Sequence, residues 1–331
     1  MKLAVVGCGA IGSYYGAKLS RAGHETHFLL RSDLAAVQAA GVTIHSPEGD
    51  FQVHPIPALK PEEIGVCDVV MIGLKTTANA QFPHLIPPLV GPRTTVVTLQ
   101  NGLGNVEALA RLFPPDQILG GLCFVALNRI APGVIHHLAE GLVVLGEFQP
   151  SGGPRLAQLV EVFRAAGVRC QATDDLARAH WEKLVWNIPF NGLGVAGVAG
   201  YEAVIAGAVP SPVPSGPVLT TDKLLAEPRW QDLVHELMLE VIATAGALGK
   251  PIPVSWADQQ IERTRNMVAY KASTLIDFEH GRPLELESVF LEPLRRAAKA
   301  GVATPRLAAL CRVLSALNSN AEVRGNRPPR A

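Results

Sequence analysis

No charge of either sign dominates this chain: 29 lysines and arginines meet 29 aspartates and glutamates, for a formal net charge of +0. That balance supplies no electrostatic footprint for nucleic acid or for an anionic membrane surface, so neither is expected as a partner. No uninterrupted apolar run approaches the roughly 20 residues that a membrane-spanning helix needs. The cysteines, Cys8, Cys67, Cys123, Cys170 and Cys311, are odd in number, scattered and without CxxC spacing. This excludes a disulfide framework or a cysteine zinc site and fits reduced thiols in a cytoplasmic protein. The first residues run straight into an apolar strand, with no charged region, apolar stretch and cleavage site in series, so no secretory signal is expected. The pair His136-His137 suggests a metal at first sight, but neighbouring strand residues point to opposite faces and no carboxylate cluster accompanies them. No metal is expected.

What the chain does have is length, 331 residues, and 48% hydrophobic composition, enough for two domains with substantial cores. Its opening carries the sharpest signal. Residues 1–6 (MKLAVV) read as a short buried strand, Gly7-Cys8-Gly9-Ala10-Ile11-Gly12 follows at once, and residues 13–21 continue as an amphipathic helix. This is the pattern of a dinucleotide-binding βαβ unit. Gly7 allows the tight turn, Gly9 lets a pyrophosphate approach the backbone, and Gly12 lets helix and strand pack closely at the helix N-terminus. Residues 26–30 form the second strand. Where an NAD enzyme usually places an acidic residue for the ribose, this chain has Arg31 and Ser32, which favours a 2′-phosphate and hence NADP(H). Asp33, two residues on, is the competing ribose partner. Cys8 reads as a small filler within the turn, with a reactive thiol as the alternative.

Residues 1–172 alternate strands and helices, as in a Rossmann-type doubly wound α/β sheet. Helices are expected at 34–40, 103–112 and 154–166. Strands are expected at 68–74, 94–99, 118–127, 133–137, 142–146 and 168–171, some of them antiparallel, with a hairpin-like excursion at 42–45 and 51–54. From 173 to 320 the pattern becomes helical, with segments at 176–193, 230–248, 256–278 and 291–317. The second domain is therefore expected to be all-α. Residues 207–217 are dense in Pro, Gly and Ser and read as a surface loop, and residues 321–331 as a frayed tail.

Two polar clusters fall at strand ends of the first domain: Lys75 with Thr76-Thr77, and Gln100-Asn101-Gly102. Both sit where such a sheet presents ligands, although Asn101-Gly102 also reads as a simple turn and helix cap. In the second domain Lys183, Asn187 and Asn191 recur every four residues within WEKLVWNIPFN, lining a cation and two amides along one face of an otherwise apolar helix. Such a stripe must be satisfied by other side chains, water or a ligand. Pro189 is expected to interrupt the same helix. Further on, Lys271-Ala272-Ser273-Thr274 and Arg282-Pro283-Leu284-Glu285-Leu286-Glu287-Ser288 read on pattern alone as a capped helix, a glycine turn and a second helix start.

Taken in order and at their spacings, GCGAIG with Arg31, LKTT at Lys75, QNGLGN at Asn101, WEKLVWNIPFN at Lys183 and the KAST and PLELES pair resemble the ketopantoate reductase family over nearly the whole chain. The resemblance implies a C-terminal all-α domain like that of 6-phosphogluconate dehydrogenase. It also implies NADPH-dependent reduction of 2-dehydropantoate to pantoate, in pantothenate and coenzyme A biosynthesis, by a cytoplasmic enzyme that can form a homodimer. By resemblance, Lys183 is the general acid for the carbonyl oxygen and Glu285 lies beside it. Asn101, Asn187, Asn191 and Ser273 bind the 2-oxo acid substrate. The turn Gly7 to Gly12, with Arg31, Lys75, Asn101 and Glu285, serves the cofactor. Hydride delivery to a 2-oxo acid builds negative charge on the carbonyl oxygen, which a nearby ammonium can stabilise and then protonate.

The chain departs from the family pattern in two places. A further Asn-Gly usual after the lysine helix is replaced by residues 197–201 (GVAGY), and Gln100 stands where a histidine is often found. The first change leaves open a paralogous reductase of another 2-oxo acid. A β-hydroxyacid dehydrogenase would fit Arg31 and Glu285 less well. A non-catalytic NADP(H)-sensing protein would need the glycine turn but neither Lys183 nor the amide stripe.

Overall fold

The computed structural model describes residues 1–212, 216–267 and 269–325 of the chain. It divides into two compact units, Met1–Leu176 and Ala177–Ala331. The first unit is built on one ten-stranded sheet. Its strands are β1 (Lys2–Val6), β2 (Glu25–Leu29), β3 (Val42–His45), β4 (Phe51–Val53), β5 (Ile56–Ala58), β6 (Val69–Ile72), β7 (Thr95–Thr98), β8 (Ile118–Ala131), β9 (Val134–Glu147) and β10 (Cys170–Thr173), in the order β4-β3-β9-β8-β7-β6-β1-β2-β5, with β10 also paired to β9.

The run from β5 through β2, β1, β6 and β7 to β8 is parallel, whereas β8 with β9 and β3 with β4 are antiparallel. Its centre shows why these segments are continuously apolar. Leu3 and Val5 of β1 join one core with Val69, Met71 and Val97, while Ala4 and Val6 join the opposite core with Val70, Ile72 and Val96. Alternate side chains thus leave opposite faces, and both faces are covered. Helix Ala10–Arg21 lies on the first of these cores, to which it contributes Tyr14, Tyr15, Ala17 and Leu19. Gly16 permits its close seating: a Cβ there would stand 2.7 Å from the Phe28 ring and 2.9 Å from Val5.

The expected strands at 133–137 and 142–146 are one strand, β9, paired with β8 over almost its full length. Opposite the step from Phe124 to Val125 the partner skips from Leu142 to Glu140. Gly141 (φ 136°) is therefore the extra residue of a bulge, and Glu140 beside it has φ 65°. A glycine that looks like a strand end in sequence is here a bend within a strand. His137 on β9 is 1% exposed and committed to structure. Its Nδ1 lies 2.9 Å from Ser46 Oγ and 3.3 Å from the Tyr14 hydroxyl, and its Nε2 lies 2.9 Å from the Glu140 carbonyl. These contacts tie β9, helix Ala10–Arg21 and the turn after β3 together. Strand β5 has no counterpart among the expected strands; it is a three-residue edge strand containing Pro57, as edges tolerate.

The second unit is helical among its described residues, with long helices at Leu176–Ala196, Pro228–Ala247 and Pro305–Gly325. The helix Leu176–Ala196 runs unbroken through Pro189, contrary to the expected interruption, although proline still offers no N–H to the carbonyl four residues earlier. Two expected helices are each divided. The stretch 256–278 resolves into Ser255–Arg265 and Ser273–Glu279. The stretch 291–317 is parted where Gly301 (φ 71°) follows Glu292–Lys299 and Pro305 opens the last helix, a stop and start of the ordinary glycine and proline kind. That last helix reaches Gly325, within the stretch expected as tail; residues 326–331 lie outside the described residues. Of the expected loop at 207–217, residues 208–212 and 216–217 carry neither helix nor strand, and residues 213–215 lie outside the described residues. Among the described residues no helix is long and apolar enough to cross a membrane.

Because Phe28 and Val5 are fully buried neighbours of Gly16, overpacking there cannot be relieved at the surface. Gly16→Val is expected to destabilise the chain by about 2 kcal/mol, read as a lowered urea midpoint. An unchanged midpoint would show that the helix can lift from the sheet at no cost.

Candidate active site

Between β1 and helix Ala10–Arg21 the chain turns through Gly7, Cys8 and Gly9. Gly7 has φ 97°, and a Cβ on it would lie 2.3 Å from the backbone nitrogen of Leu74. A Cβ on Gly12 would lie 2.2 Å from the Gly7 carbonyl oxygen, whereas one on Gly9 would meet nothing within 4 Å. Two of the glycines are therefore demanded by packing and the third faces open space. Gly9 is the N-cap, Ala10 and Ile11 begin the helix, no side chain caps it, and its first turn carries no acidic residue. Amide N–H groups at such a helix start suit an anion, so the turn fits the pyrophosphate of a dinucleotide. The Cys8 sulfur points inward and lies within hydrogen-bond distance of the carbonyls of Val5 (3.5 Å) and Leu29 (3.6 Å), either of which can accept its one proton. Burial pushes its thiol far above the ordinary range, which favours the neutral filler over a reactive thiol.

Beyond β2, Arg31 is exposed, while Asp33 is buried. The Asp33 carboxylate accepts from Ser32 Oγ at 2.8 Å, from the Arg129 guanidinium at 2.9 Å and from the Gly133 amide at 3.3 Å. The competing ribose partner is thus held inside the protein.

The two strand-end clusters of this unit are brought together by Gln100 and by side chains that sequence reasoning did not single out, Asn79, Thr98 and Asn105. Lys75 is exposed and precedes the 3-10 helix Thr76–Gln81, and Asn101 is half-buried at the head of a turn whose Gly102 and Gly104 have φ 81° and 88°. Between them runs a relay of amides. Thr98 Oγ1 donates to Gln100 Oε1 at 2.8 Å, and Gln100 Nε2 donates to Asn79 Oδ1 at 2.8 Å. Asn79 Nδ2 then donates to Asn105 Oδ1 at 2.8 Å, and Asn105 Nδ2 to the Asn101 carbonyl at 3.0 Å. Gln100 and Asn105 are buried, so the relay fixes the Asn101 turn from within. The i,i+4 spacing of Asn101 and Asn105 was the one sequence signal for it.

In the second unit the polar stripe lies on Leu176–Ala196 as its spacing requires. Lys183 is half-buried, and Asn187 and Asn191 are buried. Trp186 donates from Nε1 to Thr264 Oγ1 at 2.8 Å and packs 5.0 Å from Phe190 and 6.1 Å from Tyr270, ring centre to ring centre. The aromatic residues of the motif therefore anchor the helix that carries the stripe. Asn191 Oδ1 accepts the Thr274 amide at 3.2 Å, capping helix Ser273–Glu279 in place of Ala272, which has no side-chain oxygen to offer. This bond brings Asn191 and exposed Ser273 to one place. Glu285 is buried ahead of a π-helical turn, Glu287–Leu291, and the amide of neighbouring Leu284 donates to Asn318 Oδ1 at 2.9 Å. Asn318 is a further positioning side chain that the sequence pattern gave no reason to select.

A dinucleotide-type turn on a parallel sheet and a helical unit carrying a lysine and amide stripe define a two-unit oxidoreductase of the Rossmann class. Comparison with known proteins makes this specific: residues 3–150 match the model of Ketopantoate reductase PanE/ApbA, and residues 216–318 that of Ketopantoate reductase PanE/ApbA C terminal. A 2-dehydropantoate 2-reductase of a Nostoc species is 38% identical over 96% of this chain and 95% of its own. The crystal structure of 2-dehydropantoate 2-reductase from Geobacter metallireducens has a TM-score of 0.87 at 44% identity, covering 96% of this chain and 99% of that one. A ternary structure of D-mandelate dehydrogenase with NADH and anilino(oxo)acetate shares the fold, with a TM-score of 0.83 at 18% identity over 97% of this chain and all of that one. The chain belongs to the ketopantoate reductase family.

The amide relay makes a prediction of its own. Gln100→Leu leaves the buried Thr98 hydroxyl and the Asn79 carbonyl oxygen without their partner, and is expected to cost about 2 kcal/mol of stability. Chemical denaturation checks it. A cost within error of zero would mean that the relay is incidental to the turn.

Proposed function

We propose that this chain is a 2-dehydropantoate 2-reductase, which reduces ketopantoate to pantoate at the expense of NADPH. The observation that carries the reading is the stripe Lys183, Asn187 and Asn191 on an apolar helix, in a chain 38% identical to a curated enzyme of that name over nearly all its length. In this reading Met1–Leu176 is the nucleotide-binding unit and Ala177–Ala331 the substrate unit. The turn Gly7 to Gly12 holds the pyrophosphate, Arg31 the 2′-phosphate, and Lys75, Asn101 and Glu285 complete the cofactor contacts.

When bound, the reduced nicotinamide supplies a hydride to the carbonyl carbon. Lys183 then does the work that a hydride donor cannot: its ammonium stabilises the charge gathering on the carbonyl oxygen and gives that oxygen a proton. Glu285 lies beside Lys183 in this reading, as the family resemblance implies. Asn187, Asn191 and Ser273 hydrogen-bond the carboxylate and hydroxyl oxygens of the substrate without adding net charge. Asn191 does so with its Oδ1 already bound to the Thr274 amide, which leaves its Nδ2 donors for the ligand. The reading carries with it a cytoplasmic location and a homodimer, as the family resemblance implies.

The changed segment at 197–201 gives one specific reason to test related substrates. NADPH oxidation followed at 340 nm is expected to be fastest with ketopantoate in a panel of 2-oxo acids and slow with NADH. Lys183→Ala is expected to lower kcat by about 10²- to 10⁴-fold while leaving NADPH affinity within about threefold. Preferred turnover of another 2-oxo acid would move the substrate and keep the mechanism. Full activity in the Lys183 variant, or no turnover of any 2-oxo acid, would overturn it.

A further inference from the structure

Acidic residues after the second strand of a dinucleotide-binding unit bear on coenzyme choice, because a carboxylate there binds the ribose hydroxyls of NAD and repels a 2′-phosphate. This chain keeps such a carboxylate. Asp33 lies two residues beyond Arg31 and is 5% exposed. A buried carboxylate is a costly charge unless it is paired, and three donors reach the Asp33 oxygens, one of them a guanidinium. The Arg129–Asp33 pair, at 2.9 Å, is what cancels that charge.

Arg129 comes from a distant part of the sequence, near the far end of β8, and two features aim it. The pairing of β8 with β9 shifts between Arg129 and Ala131, so a bulge sets its direction. The Gly133 carbonyl accepts the Thr43 amide at 2.8 Å, which fixes the hairpin end against β3. The Gly133 amide and the Arg129 guanidinium thus reach Asp33 from one anchored element.

We propose that Arg129 is a specificity-determining residue for the coenzyme. By neutralising Asp33 it leaves Arg31 to set the sign of the charge after β2, and so tips the unit towards a 2′-phosphate. Arg129 acts through Asp33, as a positioning and neutralising residue. The inference rests on the nucleotide-binding reading above and concerns its selectivity. With Arg129 removed, a buried negative charge would stand beside the phosphate subsite, where two like charges several ångströms apart at the usual effective dielectric repel strongly enough to change affinity at least tenfold.

The test is calorimetric titration of NADPH and of NADH into the intact protein, with no substrate present. Arg129→Gln is expected to weaken NADPH binding by about tenfold or more while NADH binding moves less than about threefold. Adding Asp33→Asn to that variant is expected to restore most of the NADPH affinity, since the offending charge is gone. Arg129→Lys keeps the cation and is expected to keep the preference, and Asp33→Asn alone to hold or sharpen it. The two conservative variants decide the matter if Arg129→Gln does not fold. Equal loss of both coenzymes in Arg129→Gln would overturn the proposal. So would a double variant as weak for NADPH as the single one, which would assign Arg129 to the phosphate itself, or an Asp33→Asn protein that prefers NADH. A wild-type chain that binds neither coenzyme would overturn the nucleotide-binding reading, and this inference with it.

Discussion

Everything at the nucleotide end of the first unit depends on how closely helix Ala10–Arg21 sits against β1. The constraint is steric and local: the Gly7 carbonyl passes so near Gly12 that any side chain there would collide with it at 2.2 Å. From this one approach follow the positive φ of Gly7, the inward sulfur of Cys8 and the open space before Gly9. The same seating brings Gly16 onto Phe28, so the helix is held along its length by glycines that face the sheet. A binding surface for an anion is thus a by-product of packing, since a helix start brought this close to a strand end cannot also be capped by a bulky side chain.

A second principle recurs in both units: turns near the candidate site are fixed by amide side chains from elsewhere in the chain. Asn79 and Asn105 hold the Asn101 turn, Asn191 caps the helix of Ser273, and Asn318 holds the backbone beside Glu285. Amides suit this work because each offers both a donor and an acceptor and carries no charge to desolvate. They also leave valences over. Asn191 can cap a helix through its oxygen and still donate through its nitrogen, so in the proposed function one side chain both stabilises the fold and binds the ligand. On that proposal, substitutions along the stripe act on stability and on binding together, and separating the two requires affinity measurements as well as rates.

The parts of this structure that were legible in sequence are those where local signals agree. The apolar strand, the three glycines at fixed offsets and the amphipathic helix all favour the same βαβ start, and the four-residue spacing of Lys183, Asn187 and Asn191 defines a helix face without further help. The legible signals failed where tertiary pairing overrides them. Gly141 has the look of a strand end, yet pairing with β8 carries the strand across it as a bulge. The helical period read over 256–278 is continuous, yet one helix ends at Arg265 and another begins at Ser273, where Asn191 supplies the cap. Asn79, Asn105 and Asn318 were out of reach for the same reason: each is an ordinary polar residue until its partner, 26 positions away for Asn79 and Asn105 and 34 for Leu284 and Asn318, is known.

The departure at residues 197–201 can be placed in physical terms. Where the family resemblance leads one to expect a ligand-facing Asn-Gly, this chain has a 3-10 turn, Gly197–Ala199, then Gly200 at φ 89° and the helix Tyr201–Ala206. Tyr201 meets Trp230 edge to face with ring centres 5.1 Å apart, and the Arg229 guanidinium lies 4.8 Å from its ring centre. Arg229 in turn pairs with Glu227 and Glu202. The segment therefore leads into an aromatic and ionic cluster of the helical unit, in which the Tyr201 ring and the carboxylate of the next residue, Glu202, are both engaged. In the function proposed above, recognition of the substrate oxygens then falls on Asn187, Asn191 and Ser273, and proton delivery by Lys183 does not involve the changed segment. On that proposal the chemistry and the choice of substrate are carried by separable parts of one unit, which would let a family keep its reaction while the acid it reduces is free to vary.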